Sequence, residues 1–252
     1  MSRLFVLACL SLVVGCTPSL GRPGEASAAG AITVFAASSL TDAFTKAGAV
    51  FEGRVPGADI TFNFGSSSTL ATQITNGAPA DVFASADEPS MQKVVDAELV
   101  DGSPSVFAGN HLEIAVAPGN PKRITALADL ARPGVIVILA APTVPAGRYA
   151  LESLNKAGVS LSPASQEIDV RAVLNKVALG EADAGIVYVT DVVSAGTRVT
   201  GVAIQERYQV IGRYPIAVTR SATKPTLAHA FVDYLLSSDG QQLLAGFGFS
   251  RP

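Results

Sequence analysis

From Ala31 onward, short runs of β-branched and aromatic residues alternate with longer stretches whose apolar positions recur every three or four residues. The short runs predict strands at residues 32–36, 59–63, 82–85, 112–117, 135–140, 185–189 and 216–219. The longer stretches predict helices at 40–51, 69–76, 89–97, 148–156, 171–179 and 227–236. Strand and helix in regular alternation imply an α/β fold with mostly parallel sheets. The pattern contains no internal repeat of fixed period.

The first residues break this pattern. Arg3 precedes an apolar stretch from Leu4 to Val14 that closes on Gly15 and Cys16. That arrangement reads as a signal peptide over residues 1–15. It is shorter than the roughly 20 residues a membrane-spanning helix needs. The string Val13-Val14-Gly15-Cys16 resembles the lipobox of bacterial lipoproteins, which implies cleavage before Cys16 and a lipid on its sulfur. Residues 17–30, TPSLGRPGEASAAG, then read as a flexible linker. Fully extended it reaches at most about 50 Å, enough for a body tethered at Cys16 to move above a bilayer.

Composition narrows the class. With 252 residues, 48% hydrophobic and 15% charged, the chain is an ordinary globular protein with enough length for a sizeable core. Arg3 is the one charged residue of the leader, so its removal takes the formal balance from −3 to −4. A mildly acidic chain without a basic run is unsuited to nucleic acid, and bulk charge cannot hold an anionic ligand. Cys9 leaves with the leader, so one cysteine remains and an internal disulfide is impossible.

The chemistry concentrates at strand-to-helix junctions. Ser38 and Ser39 follow the first strand and open the first helix. Gly65-Ser66-Ser67-Ser68 stands at the equivalent place after the second. A helix N-terminus leaves four backbone N–H groups unpaired and carries about half a positive charge, which attracts an anion without Lys or Arg. A single serine there is usually only a cap, but two clusters at equivalent turns, beyond the carboxyl ends of strands, mark a binding cleft. In the second half, Val144-Pro145-Ala146-Gly147 forms a turn before a helix, and Val170 lies in the first turn of another. Tyr188 ends the strand that follows Gly185, where its hydroxyl can donate across a cleft.

An enzyme is disfavoured. His111 and His229 are the two histidines, neither is close in sequence to a serine turn, and no G-x-S-x-G elbow exists. Metal-ligand spacing and a glycine-rich nucleotide loop are absent from the sequence, so neither a metal ion nor a cofactor is expected.

The strings ITVFAASSLTDAF, FNFGSSSTLATQITNGAPADVFASAD, VPAGRYA and ADAGIVYVTD resemble the extracytoplasmic molybdate-binding proteins that feed bacterial molybdate ABC transporters. The resemblance runs from Ile32 to the terminal GFGFSRP. It implies a two-lobed periplasmic-binding-protein-like fold of type II with the oxyanion in a cleft between the lobes. By motif, the ligand contacts fall on Ser39, Ser67, Ala146, Val170 and Tyr188. Ser38 is the weaker member of its pair, since the family often has alanine there, and Gly65 departs from the alanine the family favours. The lobes are expected to comprise residues 31–110 with 219–252, and 111–218, with crossings near 112–117 and 214–219. The resemblance further implies a monomer that binds molybdate, and tungstate as well, and delivers it to permease and ATPase subunits while lipid-anchored outside the cytoplasm.

The donor chemistry agrees. A fully deprotonated tetrahedral dianion only accepts hydrogen bonds, so Ser and Tyr hydroxyls with backbone N–H groups satisfy it. Phosphate at neutral pH retains a proton and calls for an acceptor carboxylate; Asp169 and Asp191 lie near these segments, but helix capping is their expected duty. Sulfate is equally satisfied by donors, so cavity size must exclude it. A binding protein for sulfate or phosphate is therefore the alternative reading, followed by a ligand sensor.

Overall fold

The apolar run at residues 32–36 becomes a strand buried on both faces. In the computed structural model, which describes residues 29–252, β1 (Gly30–Ala37) turns Ile32, Val34 and Ala36 into one core and Phe35 into another. This two-residue alternation is the pleat of a strand covered by helices on both sides. The signal peptide, Cys16 and nearly all of the linker lie outside the described residues.

A 3-10 turn at Ser38–Leu40 leads into α1 (Thr41–Arg54), followed by β2 (Ala58–Gly65), α2 (Ser67–Thr75), β3 (Val82–Ala84) and α3 (Glu88–Asp96). Both β2 and β3 run parallel to β1. The larger core on this sheet gathers Phe44, Phe51, Phe107 and Phe231, with Phe51 and Phe231 edge to face at 5.4 Å between ring centroids. The opposite face is covered by Leu70 and Ile74 of α2 and by Met91 and Val94 of α3.

The strand β4 (Ser105–Val116) then links two sheets. Its pairing partner changes between His111 and Leu112. Ser105 to His111 pair with the late strand β9 (Ile211–Val218), whereas Leu112 to Val116 pair with strands of the second half. That half comprises β5 (Val137–Ala140), α4 (Pro145–Lys156), β6 (Ser165–Glu167), α5 (Val170–Ala178), β7 (Ala184–Tyr188), α6 (Val189–Ala195) and β8 (Thr200–Ala203). After β9, α7 (Pro225–Leu236) and α8 (Ser238–Gly246) return to cover the first core. The strand order is β2-β1-β3-β9-β4-β7-β5-β6, with β8 also on β4.

The two-lobed α/β fold expected from the sequence is therefore present, with parallel wings β2-β1-β3 and β7-β5-β6. The centre is antiparallel, because β4 and β9 run against their neighbours. The position of β9 differs from the expected boundary. Val210 belongs to the second core, but Ile211 already pairs with His111, and Tyr214, Ile216 and Val218 pack in the first core. By its pairing β9 belongs with the first sheet, whereas the sequence reading carries the second lobe to residue 218. Apolar patterning marks a buried strand without saying which sheet it joins. The two crossings thus stand side by side, at 111–112 and 210–211. Two short elements, β6 and β8, have too few apolar residues to announce themselves in the sequence.

Candidate functional site

Both lobes bring helix N-termini to one pocket, lined by Ala37, Ser38, Ser39, Gly65, Ser66, Ser67, Ala86, Val144, Pro145, Ala146, Val170 and Tyr188. All five residues singled out by motif are present: Ser39 and Ser67 from the first lobe, and Ala146, Val170 and Tyr188 from the second. Among the described residues no Lys, Arg, Asp or Glu lines its wall. The free volume between the walls is about 10 Å³, roughly the room of one water.

Each contributing element has a physical reason to point here. Ser67 is the first residue of α2, and its Oγ accepts the Ala86 N–H at 2.8 Å, fastening the second turn to the end of β3. Ser39 sits in the 3-10 turn after β1, 3% exposed, with Oγ 2.9 Å from Tyr214 Oη. Its neighbour Ser38 turns its carbonyl to the Thr41 hydroxyl, so this turn closes without a serine cap. In α4 Pro145 occupies the first position and lacks an N–H, so Ala146 presents the first free donor of that helix. Gly147 follows because a Cβ there would collide with the Ala140 and Ala141 carbonyl oxygens. Val170 opens α5 behind an Asp169 cap, whose carboxylate accepts the Ala172 N–H at 2.9 Å.

Tyr188 is 1% exposed and, among the described residues, its Oη makes no aligned hydrogen bond. It stands edge to face with Tyr214, ring centroids 5.9 Å apart. Burial holds its pKa well above the ordinary tyrosine value, and the adjacent Tyr214 hydroxyl reinforces the effect without forming an aligned bond. A neutral O–H donor buried without a partner costs about 1–3 kcal/mol, which an acceptor in the pocket would offset.

The cations near the site are occupied in tying the lobes together. Arg171 of α5 reaches Asp42 of α1 at 2.7 Å, Ser194 Oγ at 2.7 Å and Asp191 at 2.9 Å. The Asp191 contact is an ion pair without good hydrogen-bond alignment. Asp191 also accepts the Tyr188 N–H at 3.0 Å, so it caps α6 as its position in the sequence suggests. On the other side of the pocket Arg148 of α4 bonds the fully buried carboxylate of Asp87, which caps α3.

Sequence reasoning identified none of Asn110, Tyr214, Arg148 or Arg171 as site residues. Tyr214 lies within an apolar strand and is indistinguishable in sequence from a core residue. The arginines sit one or two positions after Ala146 and Val170, where a helical side chain reads as solvent-exposed. His229 pairs with Asp101 at 3.0 Å on the surface, and neither histidine lines the pocket. Among the described residues there is no group of three or more His, Cys, Asp or Glu that could hold a metal ion.

The model of the family described as bacterial extracellular solute-binding protein matches residues 32–250. The molybdate-binding protein ModA of Mycobacterium tuberculosis is 44% identical over 236 residues, covering 94% of this chain and 90% of that protein. Among solved structures, the periplasmic molybdate-binding protein of Azotobacter vinelandii superposes with a TM-score of 0.77 at 21% identity, covering 88% of this chain and 99% of that one. The sulfate-binding protein SubI of Mycobacterium tuberculosis gives a TM-score of 0.79 at 22% identity, covering 88% and 86%. The two superpositions report a shared fold and do not separate the ligands.

Proposed function

The chain belongs to the bacterial extracellular solute-binding proteins, among the molybdate-binding members, and on that footing we propose that it captures molybdate outside the cytoplasm and delivers it to an ABC transporter. It is a binding protein and not an enzyme. The observation that carries the ligand assignment is the wall of the pocket: neutral donors from both lobes, including the partnerless Tyr188 hydroxyl, and no ionised side chain. Such a wall suits an anion that only accepts hydrogen bonds.

In this reading Ser39 and Ser67 donate through their hydroxyls, Ala146 and Val170 through backbone N–H groups, and Tyr188 through Oη. Ligand bridging the lobes favours the closed arrangement, which the Arg171–Asp42 and Arg148–Asp87 pairs already support, and closure is what a transporter can recognise. Tungstate, of like charge and shape, binds as molybdate does. The protein works as a monomer held to the membrane through a lipid on Cys16, with permease and ATPase subunits as its partners. Among the described residues no helix is long and apolar enough to cross a membrane.

Calorimetric titration with molybdate, tungstate, sulfate and phosphate tests the assignment. Molybdate and tungstate are expected to bind at least about a hundredfold more tightly than sulfate, a gap of roughly 2.7 kcal/mol. Ser39→Ala and Ser67→Ala are each expected to weaken molybdate about ten- to a hundredfold, the loss of one hydrogen bond to a charged group. Sulfate binding as tightly as molybdate would overturn the reading.

A further inference from the structure

A groove of about 380 Å³ runs along the outside of α2 and meets the pocket at the start of that helix. Ser68 and Thr72 of α2 and Asn76 at its end recur every four residues, so they share one face of the helix and form the floor. Lys93 of α3 and Thr143 of the second lobe close the sides. Groove and pocket are continuous through both lobes. On the first lobe Ser67 lines the pocket and Ser68 the groove, and on the second Val144 lines the pocket and Thr143 the groove. The Oγ atoms of Ser66, in the pocket wall, and Ser68 lie 2.8 Å apart. An anion in the groove is therefore one residue away from the pocket on either lobe.

Charge gives this groove a use that the pocket cannot supply. The chain has a formal charge of −3, so its overall field repels an approaching dianion. Arg148 and Arg171, the guanidinium groups beside the pocket, are held in ion pairs with carboxylates. Lys93 is different. It is exposed, and among the described residues its ammonium pairs with no carboxylate. Asp96, three residues further along α3, accepts from the Gln92 amide at 2.7 Å instead. Among the described residues no Asp or Glu lines the groove, so the field of one cation acts there over neutral polar walls.

We infer that this groove is an outer landing site that gathers tetrahedral dianions at the edge of the cleft, with Lys93 as the cation that steers them in. The inference rests on the oxyanion reading above and adds to it the route by which the ligand arrives. Steering of this kind raises the rate of encounter and leaves the bound state alone, because Lys93 does not line the pocket. A free ammonium suits the task, since it attracts any oxyanion without the fixed geometry that would hold one in the groove.

The test is stopped-flow mixing of the protein with molybdate, followed by tyrosine fluorescence, at low ionic strength and again at about 1 M salt, where the screening length falls to about 3 Å. At low ionic strength Lys93→Gln is expected to lower the association rate constant about three- to fivefold, and Lys93→Glu about tenfold or more. The dissociation rate constant should stay within about twofold, and the association rates should converge at high salt. Thr72→Asp, which sets a carboxylate on the groove floor while Lys93 is kept, is expected to slow association in the same salt-dependent way. Lys224→Gln is the control for net charge, since Lys224 packs beside Gly30 at the end of β1 remote from Ser38 and should leave association unchanged. Association by Lys93→Gln as fast as by the unmodified protein at low ionic strength would overturn the inference. An equal loss in Lys224→Gln would overturn it too, by making the effect one of net charge. A loss confined to the dissociation rate would place Lys93 on the bound ligand and overturn the steering role. Absence of any molybdate binding by the unmodified protein would overturn the functional reading, and this inference with it.

Discussion

Arg171, the second residue of α5, joins Asp42 of α1 across the cleft at 2.7 Å while its Nε faces the buried Asp191. One guanidinium therefore links the first lobe to the element whose N-terminus faces the pocket. Asp42 is about half exposed and Asp191 is fully buried, so the two contacts differ in weight. Removing Arg171 would leave Asp191 buried and unpaired, at a cost of about 3–5 kcal/mol. Asp42→Asn isolates the bridge between lobes. A partly exposed pair contributes about 0.2–1 kcal/mol, so molybdate affinity is expected to fall by up to about fivefold at low ionic strength. The gap should shrink as salt is added. Equal affinities at low salt would show that the pair does not act on closure.

Gly147 packs where no side chain fits. An added Cβ would lie against the Ala140 and Ala141 carbonyl oxygens, which are backbone atoms and cannot swing aside. Gly147→Ala is expected to cost about 1–3 kcal/mol by overpacking, or roughly 2–12 °C in melting temperature. It should also weaken molybdate binding, because relief requires the Ala146 turn to move. Gly246→Ala, where a Cβ meets open space, is the matched control. Thermal melts showing equal stability for both variants would contradict the close approach.

Burial pushes the Asp191 carboxyl up to about 6, against the opposing pull of Arg171 and the Tyr188 N–H. In the unfolded chain it returns to the ordinary value of 3.8. Between these values the folded protein binds the extra proton. The contribution of Asp191 to stability is therefore complete below about pH 4 and declines as pH rises to about 6. The difference in melting temperature between the unmodified protein and Asp191→Asn is expected to move against the unmodified protein across that window and to level off above it. Melting curves from about pH 4 to about pH 7 decide this, and a difference that does not change with pH removes Asp191 as the titrating group.

Cys16→Ser is expected to abolish metabolic labelling with palmitate and to leave molybdate affinity unchanged, since residues 17–30 separate it from both lobes. Labelling that persists in the variant would refute lipid attachment at Cys16.

The sequence by itself determined the alternation of elements, because periodicity of two and of three to four residues reports directly which faces are buried. Through the family resemblance its motifs carry, it also pointed to the five proposed ligand contacts, which stand at serine turns, a Pro-Gly turn, a helix start and a strand end, all local features of the chain. Tertiary structure decided what is long-range. Whether β9 joins the first or second sheet depends on its pairing with His111, a hundred residues away by register, and no local pattern encodes it. Asn110, Tyr214 and Ser39 become a chain of hydrogen bonds only when β4 and β9 lie side by side beneath the first turn. Arg148 and Arg171 look like solvated helix residues until the facing lobe brings Asp87 and Asp42 to them. Local chemistry specified the donors; folding alone supplied what stands behind them.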